Sequence, residues 1–507
     1  MFVPYESSPL TPEFDSLVQE LLNKWKVPGM TIAVVHKQNV YSKAYGIAEF
    51  PDRKMATDCL FSTCSTTKAF TAAAVSLLID DQKHDPSPLQ WHTRISSLIR
   101  GDFVLADNYA TMNTTLEDAL SHRSGLPGHE IAMTAAHANE TLQDAVRKLR
   151  HLPLAYPPRT TFSYCNHMYM VISHVLQEIT GESLGAMLKR RIWDPLGMHD
   201  TYFSIQNLKD EPSLGSKLVR GYTWVPEKKH FVPEQFMNYA PTTGTGAIVS
   251  NVLDYAKWLK SWIHQTGPMS KEGYAALLRP RTIMSEGLDQ LNPPAPYHLY
   301  ALGWFLDTYR GEQIYMHSGS WPGFRILVGF LPQKDFAFVM MANSESAKHA
   351  QYRLFLYLMD RLHGTHEDQP EHHPPDAAEE QRKPANSTDA VSRLFPSLSG
   401  HRIPRSLPLD EYCGTYRHAG YGCLALNINS GHLTADLTDR AIVFCLRLWH
   451  ASGEYFVGEL YTPGKEGSLS EFFRTKFDIN ADGQAHAVGL ELEPALGNEM
   501  IWFTRTP

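Results

Sequence analysis

The sequence predicts a large mixed α/β (α+β) domain followed by a small all-β one, and three observations carry that reading. β-like runs stand at both ends of roughly the first 360 residues, with helical patterns between them. A Pro- and charge-rich stretch interrupts the chain after residue 363. Short alternating runs separated by Gly, Asn and Asp fill the remainder. At 507 residues the chain is too long for one ordinary core. The boundaries read as 1–363 for the first domain, 364–408 for a linker and 409–507 for the all-β domain.

In the first domain, residues 30–35 and 40–47 read as two strands joined by the turn Lys37-Gln38-Asn39. Residues 65–79 read as an Ala-rich helix. Residues 168–179 form another, with Ile172, Val175, Leu176 and Ile179 on one side and Gly181 at its end. A third spans 251–262. The runs YALGWFLD, QIYMHSG, FRILVGFL and FAFVMMAN between residues 300 and 343 are strand-like, and a helix over 350–362 closes the domain. A sheet built from both ends of the domain and flanked by helices follows. The stretch 364–408 has linker composition, and its histidines lack the packed frame that a metal site needs. The last hundred residues or so suit a small barrel or sandwich.

Composition excludes several classes. Lys plus Arg number 46 against 54 Asp plus Glu, a net charge of -8, so no nucleic-acid partner is expected. No run approaches the roughly 18 apolar residues of a membrane span. The N-terminal sequence MFVPYESSPLTPEF has neither a basic region nor an apolar core of the secretory type, and the six cysteines are sparse and lack C-x-x-C spacing. A cytoplasmic protein with reduced thiols is the expectation. Oligomeric state leaves no mark in the sequence.

Cofactor motifs fail. Gly244-Thr245-Gly246 begins like a dinucleotide fingerprint, but Val249 stands where the third glycine belongs. There is neither a phosphate loop nor an H-E-x-x-H, so no cofactor and no metal are expected. Gly181-Glu182-Ser183-Leu184-Gly185 matches G-x-S-x-G, but a helix precedes it, so Gly181 reads as a C-cap and Ser183 as an N-cap.

The informative stretch is Phe61-Ser62-Thr63-Cys64-Ser65-Thr66-Thr67-Lys68. At i and i+3 on a helix start, Ser65 and Lys68 share a face roughly 5–6 Å apart. A buried ammonium that loses its proton can serve as base or electrostatic support for a serine hydroxyl. Two further elements add weight: Tyr164-Cys165-Asn166, a Y-x-N, and His317-Ser318-Gly319, an H-S-G on a strand-like run.

In this order the three elements resemble the serine β-lactamase and penicillin-binding-protein family, and the Y-x-N form most resembles class C β-lactamases and the related esterases and D-amino-acid peptidases. Residues 116–126 (LEDALSHRSGL), 156–166, 193–198 (WDPLGM) and 300–304 are similar to further family signatures, so the likeness covers about residues 20–345. It implies an antiparallel sheet flanked by helices with a helical subdomain. The all-β region loosely resembles a lipocalin-like barrel.

By this resemblance Ser65 is the nucleophile of an acyl-enzyme, with Lys68 and Tyr164 sharing the proton work. The backbone N–H groups of Ser65 and Ser320 would form the oxyanion hole. Asn166 would hold Lys68 and contact the substrate. His317, Ser318, Gly319, Ser320 and Trp321 would line the binding site, with His317 tuning Tyr164. Two departures stand out. His317 occupies the place of a lysine in β-lactamases and holds a carboxylate less firmly, which disfavours β-lactams. Arg159 replaces the usual glycine before Tyr164. The implied function is a serine hydrolase acting on a small-molecule ester or amide. An acyltransferase that uses an alcohol in place of water is the alternative, and a non-catalytic binding protein is a third reading.

Overall fold

The computed structural model describes residues 8–134, 139–205, 208, 212–237, 240–284, 297–364, 387–398, 400, 402–465 and 470–506. Helix α1 (Pro12–Lys24) starts where the Thr11 hydroxyl accepts the Phe14 N–H, with Pro12 in its first turn. It buries Phe14, Val18, Leu21 and Leu22 on one stripe. The main sheet uses β1 (Gly29–His36), β2 (Asn39–Glu49), β3 (Arg53–Lys54), β4 (Thr282–Ile283), β5 (Leu299–Tyr300), β6 (Phe305–Tyr309), β7 (Glu312–Trp321), β8 (Phe324–Leu331) and β9 (Phe336–Ala342). Their spatial order is β3-β2-β1-β9-β8-β7-β6-β5-β4, and the pairings between neighbours are antiparallel. N-terminal and C-terminal strands meet at the centre, where Met30 pairs with Ala342 and His36 with Phe336.

Every residue of β1 is buried because both faces are covered. Met30, Ile32 and Val34 pack toward α1 and the helix Ala347–Leu362, whereas Ala33 and Val35 join the core that contains Trp258 and Trp262 of helix Val252–His264. The two-residue period of a strand assigns alternate side chains to these layers.

The helical region packs around α2 (Thr67–Gln82), which is preceded by the 3-10 turn Cys64–Thr66. Residues 67–78 of α2 are all buried, so the helix has no solvent face, and its alanines admit close neighbours. Helix α3 (Asn166–Thr180) runs alongside and ends at Gly181, whose φ of +71° is left-handed. The Ser183 hydroxyl caps the following helix by accepting the Ala186 N–H at 3.3 Å, so the G-x-S-x-G run is a cap and not a nucleophile turn.

Arg159 also adopts a left-handed backbone, at φ +69°, where the resembling proteins have glycine. Its guanidinium compensates. It donates to Asp118 at 2.8–3.1 Å, and Asp118 also accepts from Arg123 Nε at 2.7 Å and from the backbone and hydroxyl of Thr115. Burial pushes the Asp118 carboxyl up, yet the bonds from Arg159 and Thr115 outweigh it and hold the pKa below the usual range.

The C-terminal domain is a closed antiparallel barrel of eight strands, β10 (Gly414–His418), β11 (Gly422–Asn429), β12 (His432–Leu437), β13 (Phe444–Ser452), β14 (Tyr455–Tyr461), β15 (Glu471–Ile479), β16 (Ala485–Leu490) and β17 (Ile501–Arg505). Pairing of Tyr416 with Arg505 closes it and removes the free edge. Part of the expected linker is structured. Residues Ser387–Leu394 form a helix whose Ala390 and Val391 are buried against Val457 of the barrel, and Leu394 and Phe395 extend that stripe. The polar composition of the flanking sequence hides this one short apolar stripe. His366, His372 and His373 lie outside the described residues. Among the described residues, no helix is long and apolar enough to cross a membrane.

Asp118 provides a stability test. Asp118→Asn keeps the volume but weakens a buried acceptor of five donor groups, and it is expected to cost about 1–3 kcal/mol in urea unfolding. Lys189→Ala breaks an exposed pair with Asp194 and should stay within about 0.5 kcal/mol. Equal losses would contradict a structural role for the Asp118 network.

Candidate active site

The turn carrying Ser65 is clamped from below. Thr63 bonds Ile248 through both its N–H, at 2.9 Å, and its hydroxyl, at 3.0 Å. The Thr66 hydroxyl bonds the Thr63 carbonyl and the Tyr255 hydroxyl, both at 2.8 Å. Cys64 has φ +52°, an unfavourable backbone for a residue with a Cβ, and its side chain is fully buried. That strain is held by the surrounding packing, and it sits immediately before Ser65.

Lys68, one helical turn on, is completely buried. Its Nζ donates to Ser65 Oγ at 3.1 Å, Asn166 Oδ1 at 2.7 Å and the Thr245 carbonyl at 3.1 Å, so all three ammonium hydrogens are used. Burial pushes its pKa down to about 7, opposed by the nearby carboxylate of Glu130.

Tyr164 and Asn166 are delivered by the segment entering α3. Here His122 acts as a bracket that its sequence position did not reveal. Its carbonyl accepts the Ser163 N–H at 2.8 Å and its Nδ1 accepts the Cys165 N–H at 3.0 Å, while its ring lies 4.2 Å from that of Tyr164. Burial, with the charge of Lys68, drives the His122 pKa well down, so the ring is neutral. Burial raises the Tyr164 pKa well above 10, outweighing the lowering effect of the Ser65 hydroxyl. The phenol therefore keeps its proton.

Strand β7 supplies the opposite wall. It pairs with β6 only as far as Met316, so from His317 onward that edge is open beside the Ser65 turn. A Cβ on Gly319 would stand 2.6 Å from the Thr63 carbonyl and 3.2 Å from the Ser65 nitrogen, so glycine is what lets the strand come this close. The Ser320 hydroxyl donates to Glu345 at 2.8 Å. Trp321 lies over Gly246, where an added Cβ would meet the indole at 2.7 Å.

His317 is placed differently from the expected substrate contact. It is only 1% exposed; its Nδ1 donates to the Ser318 carbonyl at 2.7 Å, and its Nε2 accepts from the Tyr300 hydroxyl at 3.0 Å. Both nitrogens are engaged behind the site. Burial, with Lys68 nearby, lowers its pKa to about 3. Its Nε2 is turned to Tyr300, and its ring centroid is 6.5 Å from that of Tyr164. Ser65, Lys68, Tyr164 and Asn166 are thus brought together with the backbone of β7, while His317 supports that strand from within.

Glu130 was invisible to motif reasoning. Asn166 Nδ2 donates to both of its oxygens, at 2.9 and 3.1 Å. The residue is surrounded by neighbouring groups, yet its side chain is open to solvent. The barrel reaches the residue next to Glu130. Glu493 Oε2 accepts the His129 N–H at 2.6 Å, the Tyr421 hydroxyl lies 2.6 Å from His129 Nδ1, and Lys465 forms a buried ion pair with Glu234.

Comparison with known proteins agrees with this geometry. Residues 14–358 match the family described as Beta-lactamase, and residues 399–505 match a domain of unknown function, DUF3471, where the sequence pointed loosely to a lipocalin-like barrel. The chain is similar to the unguisins hydrolase ungD' of Aspergillus campestris, at 35% identity covering 98% of this chain and 92% of that protein. It is also similar to the unguisins hydrolase ungD of Aspergillus violaceofuscus, at 34% identity covering 99% and 91%. Among solved structures, the octameric penicillin-binding protein homologue from Pyrococcus abyssi superposes with a TM-score of 0.60 at 19% identity, covering 97% of this chain and 99% of that one. The fold is accordingly β-lactamase-like, an antiparallel sheet with helices, followed by the closed eight-stranded barrel.

The cysteines flanking the candidate residues give a direct check on this packing. Cys64 and Cys165 are fully buried, and burial raises both thiols, Cys165 to about 12. Iodoacetamide applied to native protein near neutral pH is expected to leave both unmodified while alkylating the partly exposed Cys423. Peptide masses before and after unfolding would report this. Rapid native alkylation of Cys64 or Cys165 would mean the site is looser than described.

Proposed function

Because this chain belongs to the β-lactamase family, we propose that it is a serine hydrolase cleaving an ester or amide bond of a small molecule through an acyl-enzyme on Ser65. The observation that carries the reading is the buried Lys68 amine 3.1 Å from Ser65 Oγ, with a pKa brought down to about 7. An amine at that pKa exchanges its proton near neutrality, which suits a general base.

In the proposed sequence, the neutral Lys68 amine takes the Ser65 proton as Oγ attacks the substrate carbonyl. The developing oxyanion is met by the backbone N–H groups of Ser65 and Ser320. The proton passes through the Tyr164 hydroxyl to the departing alcohol or amine, and the Ser65 ester remains. Water then attacks that ester, the proton returns to Ser65 and the acid leaves. Tyr164 suits the relay because burial keeps it protonated, and that same property argues against tyrosinate as the resting base. Asn166, Ser318, Gly319 and Trp321 are proposed to border the acyl group.

The substrate class follows from charge. His317 is neutral and turned away, so the position where a lysine would hold a β-lactam carboxylate carries no cation. Esters and amides without that carboxylate are favoured over β-lactams. Likeness to two unguisins hydrolases across nearly the whole chain supports hydrolysis and makes unguisins the first compounds to assay.

The test is the intact mass of the protein after exposure to a fluorophosphonate, followed by turnover of p-nitrophenyl esters and unguisins. A single adduct is expected on wild type and on Ser183→Ala, and none on Ser65→Ala. Lys68→Ala should lower the labelling rate by roughly 10²–10⁴-fold. A free acid as product supports hydrolysis, whereas an ester formed from an added alcohol would identify a transferase. No adduct on wild type would overturn the catalytic reading and favour a binding protein.

The same base predicts a pH profile. Lys68 must be neutral to accept the proton, so labelling should rise with pH through an apparent midpoint near 7. Lys68→Arg, which cannot lose its proton, should abolish the rise. A rate independent of pH across neutrality would exclude Lys68 as the base.

A further inference from the structure

We propose that Glu130 is a positioning residue that governs the proton on Lys68 across the Asn166 amide, and that the barrel holds it there. The inference rests on the reading of Lys68 as the base for Ser65.

The geometry is a chain of oriented groups. Lys68 Nζ can only donate, so Asn166 must turn its Oδ1 toward the lysine, at 2.7 Å. The Nδ2 then points the other way and requires an acceptor, and both oxygens of Glu130 provide one, at 2.9 and 3.1 Å. The amide thus separates a carboxylate from an ammonium by one side chain. An ionised Glu130 favours the charged lysine, and a neutral Glu130 releases the amine to act. Two ionisable groups joined through one amide titrate as a pair. The protein packed around Glu130 raises its carboxyl and burial lowers Lys68, so the two approach each other and suit sharing one proton.

Other groups face the pair without replacing this relation. The thiols of Cys64 and Cys165 and the rings of Tyr164 and Tyr169 lie against Lys68, and the neutral His122 and His317 sense its charge. Glu493 and Tyr421 of the barrel face Glu130.

The barrel fixes Glu130 through the preceding residue. The His129 N–H is held by Glu493 Oε2 at 2.6 Å. His129 Nε2 donates to the Pro153 carbonyl at 2.9 Å, which leaves Nδ1 to accept from the Tyr421 hydroxyl at 2.6 Å. Glu493 is itself anchored by the Ala495 N–H at 3.0 Å. The second domain therefore reaches the base of the first through Glu493, the main chain of His129 and Glu130, and the side chains of Glu130 and Asn166.

The experiment is the pH dependence of fluorophosphonate labelling, measured on the full chain for wild type, Glu130→Gln, Glu130→Ala and Glu130→Asp. Glu130→Gln keeps an acceptor for Asn166 but removes the charge. The midpoint of the rising limb is expected to fall by on the order of one pH unit. Glu130→Ala should move it in the same direction, and Glu130→Asp should return it toward wild type. A merely structural role would lower the plateau and leave the midpoint in place. An unmoved midpoint in a neutral variant that is still labelled at Ser65 overturns the inference alone. Absence of any Ser65-dependent adduct on wild type overturns the proposed function and this inference with it.

Discussion

A lysine side chain with no exposure to water constrains the centre of this molecule. Removing an ammonium from solvent costs several kcal/mol unless each hydrogen finds an acceptor. Lys68 finds three, and they come from residues 65, 166 and 245. Helix α2, the start of α3 and the short helix Thr243–Gly246 must therefore converge on one point. Their approach is made possible by small residues. A Cβ on Gly244 would meet the Ser173 hydroxyl at 2.2 Å, and one on Gly303 would meet the backbone of Ala69 at 2.9 Å. The alanines of α2 and these glycines are the packing counterpart of a buried charge.

The same burial explains the electrostatic pattern. Dehydration disfavours whichever form is charged, so it lowers Lys68 and the histidines and raises Tyr164, and the protein crowded around Glu130 raises that carboxyl too. The groups at this site diverge in direction although one cause acts on all of them. Tyr164 stays a phenol and His317 a neutral imidazole, while Lys68 and Glu130 are moved into the range where a proton transfers readily. Perturbation of this kind, concentrated around one serine, is a physical signature of a reactive site.

The readable parts of this arrangement were those encoded locally. Helix α3 was visible because its apolar spacing and its terminal Gly181 lie within one window, and β9 was visible as one unbroken apolar run. Ser65 and Lys68 announced themselves by i, i+3 spacing; Tyr164 and His317 were added by motif order. The Glu130–Asn166 bond was hidden because its partners are 36 residues apart and a lone glutamate carries no pattern. His317 was readable as a residue but not in its role, since nothing local shows that Tyr300 and the Ser318 carbonyl occupy both its nitrogens. Arg159 was visible as a departure, and only the fold shows that Asp118 compensates its left-handed backbone. The barrel's strands were legible from alternation, but its attachment to the first domain rests on single polar residues from distant segments.

That attachment has a physical logic of its own. Lys465 and Glu234 are 3% and 8% exposed, and a buried ion pair offers little net stability over apolar residues of the same size. What it offers is exclusivity, because a shifted domain would leave a charge buried without its partner. Glu493 behaves likewise, its carboxylate buried against the His129 N–H. Two such contacts penalise misdocking far more than they reward docking, and so select one orientation. A barrel fixed in this way can border the site without contributing a nucleophile or a base. Its effect on the chemistry must then pass through the residues that it grips, and Glu130, bonded to Asn166, follows one of them directly in sequence.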